Sequence, residues 1–224
     1  MKMLRRPFKR STPEAPRPCR RRGARGFTFV ELLLSLTILG IGVSGVIAMQ
    51  KVTVTSNQHA KNLAIATQVA QAWIDALQAD AVQWNHPSSS NPVSDLPTTD
   101  WLSLAPAEGS GPNRDWVRPT WNARRQFGPG FTAQGRPVDP ATSPNDVRFC
   151  THIRLSWLYP QNGVITGNGL LRAEVRVFWL REGGSALGNV SICDPSVNPN
   201  AVGAETRRYH QIYEVTAVRE NTAL

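Results

Sequence analysis

The sequence predicts an α+β protein: one long N-terminal helix, apolar in its first half and amphipathic in its second, packed on a C-terminal antiparallel β-sheet head. Three observations carry the prediction. Phe27 to Met49 is an almost unbroken apolar run with a single ionised side chain, Glu31. Lys51 to Gln83 contains neither proline nor glycine and is rich in alanine, glutamine and leucine, as a continuing helix would be. Two segments near the C-terminus alternate apolar and polar side chains with the period of two expected of a half-buried strand.

Residues 1–26 come first, a basic segment ending in Gly26. Residues 1–25 hold ten Lys and Arg against one acid, Glu14, with several prolines and almost nothing apolar, and are expected to be disordered. Residues 27–224 hold fifteen basic and fifteen acidic side chains, so the formal net charge of +9 belongs to the leader alone. No aromatic or structured basic surface accompanies it, which argues against nucleic acid as a partner. Positive charge flanking an apolar span keeps that end in the cytoplasm, which places residues 50–224 on the far side of the membrane.

At about 1.5 Å of rise per residue, a helix over residues 27–49 crosses the roughly 30 Å hydrocarbon core of a bilayer. A carboxylate facing lipid there costs on the order of 2.5–3.5 kcal/mol, so Glu31 marks a function and calls for a cation. A secretory signal is cut after its apolar run at a small-x-small site. The residues after Met49, QKVTVTSNQ, offer no such site. A cut between Gly26 and Phe27 would instead remove the basic leader and leave the span attached.

The pattern G-F-T-F-V-E at Gly26 to Glu31, between a basic leader and an apolar run, resembles the processing site of the type IV prepilin family. The resemblance implies cleavage after Gly26 by a membrane prepilin peptidase and N-methylation of the new first residue, Phe27. It implies that Glu31 neutralises the N-terminal amine of a neighbouring subunit. The implied fold is the type IV pilin one, and the implied partners are major and minor pilins, an inner-membrane assembly platform and a tip adhesin. The location would be the inner membrane, single-pass with the head in the periplasm, and then the pilus surface. The stretch ILGIGVSGVIAMQ, Ile38 to Gln50, narrows the resemblance to minor pilins. The leader is longer than many in the family, which fits a start at Met3 or a long minor-pilin leader. Two other readings stay open: a minor pseudopilin of a type II secretion or DNA-uptake system, and a binding module on an uncleaved single-span anchor.

Residues 50–84 continue the helix, with Leu63, Ala66, Ala70, Trp73, Leu77 and Ala81 as the stripe expected under the head. Gly40, Gly42 and Gly45 each weaken the apolar half by about 1 kcal/mol relative to alanine. Local unwinding in a filament and close helix packing account for them equally well. Residues 85–149 are rich in proline, glycine and serine and carry Trp101, Trp116 and Trp121, which reads as a loop region partly packed on the head. Use of those rings to bind carbohydrate or peptide is a second reading.

The head, residues 150–224, is expected to hold three strands at least. Thr151, Ile153, Leu155, Trp157 and Tyr159 form one apolar face, and Leu171, Ala173, Val175, Val177 and Trp179 another, with the turn sequence PQNGVITGNG between them. A third strand near Tyr209 to Arg219 would bring Tyr213, Val215 and Ala217 to one face. Cys150 and Cys193 would lie in an oxidising compartment, where they can form one bridge, and two unpaired buried thiols are the other reading. Neither cysteine has a CxxC or CxxH neighbour to suggest a metal. The four histidines, His59, His86, His152 and His210, are isolated in sequence. The chain has no HExxH, GxSxG or phosphate-loop motif, so no catalytic residue, metal ligand or cofactor is assigned.

Overall fold

A computed structural model describes residues 26–85, 95–106, 115–159 and 169–220. Most of the leader, His86 and the turn at 160–168 lie outside the described residues. The chain divides into two compact units, residues 1–52 and 53–224. Helix α1, Phe29–Ala81, begins in the first and continues into the second.

In the first unit the described chain is almost all helix. It runs unbroken through Gly40, Gly42 and Gly45, where an added Cβ would meet nothing within 4 Å, and shows no local unwinding there. The large apolar side chains from Phe29 to Met49 are exposed. With a mean hydropathy of 2.3 in its most apolar window, α1 is long and apolar enough to cross a membrane.

In the second unit a five-stranded antiparallel sheet, order β2-β1-β3-β4-β5, packs against the later part of α1. Its strands are β1 (Gly130–Phe131), β2 (Pro137–Val138), β3 (Phe149–Tyr159), β4 (Leu170–Leu180) and β5 (Tyr209–Arg219). A short helix, α2 (Pro199–Ala204), precedes β5. This is the α+β, pilin-like architecture expected from the sequence. The buried helix stripe is Ile65, Ala66, Val69, Ala70, Trp73, Ile74, Leu77 and Ala81, against Ile153, Leu171, Ala173, Val175 and Val177 of the sheet. Leu63 departs from the expected stripe. It lies at the rim beside His59 and His210 and stays 43% exposed. The β1–β2 turn closes on α1 through Gly135 (φ +76°), where a Cβ would stand 3.1 Å from Ile65.

Three expectations need correction. The segment 85–149 is not loop alone, since β1 and β2 extend the sheet to Pro137–Val138. On β5 Tyr213, Val215 and Ala217 do share one face, but it is the face away from α1. Val218 stands opposite Leu171 and Ile212 opposite Val177, so the even-numbered residues face α1. Tyr213, Val215 and Ala217 point the other way, with Tyr213 and Val215 each 53% exposed. Because the side-chain period is two, this one-residue choice moves every side chain of the strand to the opposite face.

The third correction concerns β3 and β4, which are buried on both faces over part of their length: His152, Glu174, Arg176 and Phe178 are buried as well as the apolar series. The chain around Cys193 and α2 covers the outer face there. Arg176 Nη2 donates to the Pro199 carbonyl at 2.5 Å, and Arg118 Nη1 to the Cys193 carbonyl at 2.6 Å. A disulfide joins Cys150 of β3 to Cys193, with Cα atoms 5.4 Å apart and a sequence separation of 43. Replacing both cysteines by alanine is expected to cost roughly 3–4 kcal/mol on the chain-entropy account of loop closure. Urea unfolding of the double variant beside the parent measures this.

Candidate processing and assembly site

Gly26, Phe27 and Thr28 precede the first helical residue, Phe29. Thr28 caps the helix: its Oγ1 accepts the Glu31 backbone N–H at 3.3 Å, and its carbonyl accepts the Leu32 N–H at 3.1 Å. The Thr28-x-x-Glu31 spacing is the sequence signature of a capping box, and it adds Thr28 to the residues singled out above. Among the described residues nothing lies within 4 Å of the place a Cβ would take at Gly26, and Phe27 is 82% exposed. No described residue covers the Gly26–Phe27 peptide bond.

Glu31 sits in the first turn, where the unpaired N–H groups of the helix end favour negative charge. Its carboxylate has no ion-pair partner among the described residues. Cleavage after Gly26 would place a new amine within about one helical turn of this carboxylate. The local chain thus has an exposed Gly26–Phe27 segment, a helix start capped by Thr28 and a carboxylate with no ion-pair partner among the described residues.

The chain carries a prokaryotic N-terminal methylation motif. The family model of that description matches residues 21–47, which include Gly26, Phe27 and Glu31. The match supports a type IV prepilin-like protein, and the motif belongs to structural rather than enzymatic proteins. It implies assembly with other pilins in a pilus or pseudopilus, and with the apolar helix it supports membrane anchoring. No curated protein and no solved structure matches the chain.

The other described sequence candidates fall in the head. Cys150 and Cys193 meet in the disulfide. His59 of α1 and His210 of β5 come together, ring centroids 4.6 Å apart, with His210 stacked on Trp179. Among the described residues no three His, Cys, Asp or Glu side chains are grouped to hold a metal ion. Trp101 is buried against Trp73, and Trp116 lies under the guanidinium groups of Arg154 and Arg176, at 4.7 and 4.4 Å.

His152 is a buried polar residue that sequence spacing did not distinguish. Its Nδ1 accepts from Arg176 Nη2 at 2.7 Å, which leaves the ring neutral. Burial, aided by the charges of Arg176 and Arg118, holds its pKa down at about 2. The unfolded chain takes up a proton near pH 6.5 that the folded ring refuses, so stability falls as pH drops below 6.5. The expected loss is about 1.4 kcal/mol per pH unit from this residue. His152→Asn keeps an acceptor for Arg176 and should flatten that dependence. Denaturant midpoints of parent and variant at pH 7 and 5 provide the check.

Proposed function

We propose that this chain is a minor pilin, similar to the type IV pilus modification protein PilV, that joins or primes the assembly of a type IV pilus. Prepilin peptidase cuts between Gly26 and Phe27 and methylates Phe27. The anchored precursor waits in the inner membrane with its head in the periplasm, and then enters the filament beside major and minor pilins. The observation that carries the reading is the juxtaposition at the helix start: an exposed Gly26–Phe27 segment, and one turn later Glu31, without an ion-pair partner among the described residues, in the apolar first half of the helix.

The physics supports each role. A carboxylate that leaves water needs a cation, and the amine of an adjoining subunit supplies one at the same depth. The apolar half of α1 must exchange lipid for another apolar environment, so it provides the main assembly contact. N-terminal sequencing with intact mass of the protein recovered from membranes tests the reading. A methylated Phe27 start is expected, and persistence of residues 1–26 overturns it in favour of an uncleaved anchor. Recovery from sheared surface pili separates a pilus subunit from a secretion pseudopilin.

A further inference from the structure

We propose that the cleft walled by Trp121 and Pro140 is a binding site for a neutral or amino sugar. Of the seven tryptophans, six contact another ring or a cation, and only Trp121 has neither among the described residues. Its indole N–H also donates to no described group. The ring nonetheless borders a cleft of about 500 Å³, within the range of small-molecule sites.

Two glycines hold the walls in place. A Cβ at Gly128 would stand 2.6 Å from Trp121 Cε3 and 3.0 Å from Trp121 Cα, so only glycine lets the ring settle on that backbone. A Cβ at Gly130 would stand 2.8 Å from Pro140 Cγ, so β1 seats the opposite wall in the same manner. The loop between Trp121 and Gly128 is closed by paired backbone bonds between Asn122 and Phe127, at 2.8 and 3.2 Å. Asn122 Oδ1 stitches it further by accepting from the Arg124 and Arg125 amides. The aromatic platform is thus set before any ligand arrives, which reduces the ordering cost of binding.

The polar groups of the cleft are half used. Asp139 Oδ1 accepts the Ala141 N–H at 2.9 Å, and Asp194 Oδ1 accepts the Ser196 N–H and hydroxyl at 2.8 and 2.5 Å. In each residue Oδ2 has no partner among the described residues. Arg118, on the same wall, spends Nη1 on the Cys193 carbonyl and has other N–H groups left over. A flat ring beside spare carboxylate oxygens and a guanidinium suits a pyranose, whose C–H face packs on the indole while adjacent hydroxyls donate to carboxylates. Two acids against one arginine leave the site with net negative charge, which disfavours uronic and sialic acids.

The test uses the full-length ¹⁵N-labelled chain in phosphocholine micelles, whose headgroup is not a sugar. Methyl β-galactoside, N-acetylglucosamine, glucosamine and glucuronate are titrated while the Trp121 indole resonance and, in every variant, the backbone amides of residues 139, 141 and 194 at the cleft are followed. A saturable shift with at least one neutral or amino sugar is expected, and none with glucuronate. Trp121→Ala should weaken that binding about tenfold or more, and Gly128→Ala, which retains the indole but displaces it, should weaken it as well. The Asp139→Asn/Asp194→Asn double variant keeps an Oδ1 acceptor for the Ala141 and Ser196 amides and replaces each spare Oδ2 acceptor by an amide NH2, so it serves if the other two fail to fold, and it should weaken binding likewise. The proposal is overturned if no sugar shifts the Trp121 signal saturably, or if glucuronate binds as well as the neutral sugars. Affinity unchanged in every folded variant also overturns it, as does response of the cleft to a proline-rich peptide but to no sugar.

Discussion

Glu31→Ala is expected to leave leader removal largely intact while lowering incorporation into filaments by roughly two orders of magnitude or more. Breaking one partner out of a buried ion pair costs about 3–5 kcal/mol, because the other charge stays desolvated, and each 1.4 kcal/mol is tenfold in an equilibrium. The helix start should survive, since Thr28 caps through the backbone N–H of residue 31, which alanine retains. Thr28→Val is the control: loss of an N-cap typically costs only about 1 kcal/mol and leaves the acid in place. Immunoblots of sheared filaments, normalised to mature protein in the membrane, give the measurement. If Glu31→Ala enters filaments as well as the parent does, the ion-pair account fails.

Asp80→Ala should produce the largest stability loss in the head. Asp80 is fully buried in the last turn of α1. Oδ1 accepts the Asp100 N–H at 2.9 Å, and Oδ2 accepts those of Trp101 and Leu102 at 2.8 and 2.9 Å. Arg125 Nη2 lies 3.5 Å from Oδ1, and the same guanidinium reaches Asp100 at 2.5 Å through Nε. Alanine would leave buried donors with no acceptor, at about 1–3 kcal/mol each, so a total of roughly 3–6 kcal/mol is expected. Asp80→Asn keeps one carbonyl acceptor and should lose about half as much. Urea unfolding of the two variants tests the order. Equal stability of Asp80→Ala and parent would show that the loop at 100–102 docks by its aromatic packing alone.

How much of this was legible in the sequence depends on how local the cause is. Gly26, Phe27 and Glu31 are contiguous, and their meaning lies in charge, polarity and offset, so a reading of the chain reaches them. The strands β3 and β4 announce themselves because their apolar residues keep one parity over seven positions, 151–157 and 171–177. On β5 the apolar residues occupy both parities, Ile212 and Val218 on one and Tyr213, Val215 and Ala217 on the other. Pairing with β4, a tertiary cause, makes the choice. Strands of two residues such as β1 and β2 carry no period at all.

Other features were hidden for a similar reason. Asp80 falls three residues after Leu77 in the buried stripe, an acid where an apolar residue belongs, and that misfit is the trace the sequence left of it. His152 and Arg176 alternate as solvent-facing residues would, and the covering chain from Cys193 through α2, together with Trp116, buries them. The sugar cleft gathers residues 118–121, 129, 139–141, 144, 191 and 194–195, so sequence could single out its tryptophan but not its neighbours.

The Trp73–Trp101 pair gives the Asp80 experiment its own optical reporter. The two indoles meet edge to face at a centroid separation of 5.4 Å and an angle of 71°, close and crossed enough for their electronic transitions to couple. The head should therefore show an exciton couplet in circular dichroism, distinct from the helical bands of α1. Trp84 and Trp157 form a second such pair, at 5.7 Å and 74°, so the part of the couplet that reports docking of the loop is the part that Asp80→Ala should lose at lower denaturant than the helical signal.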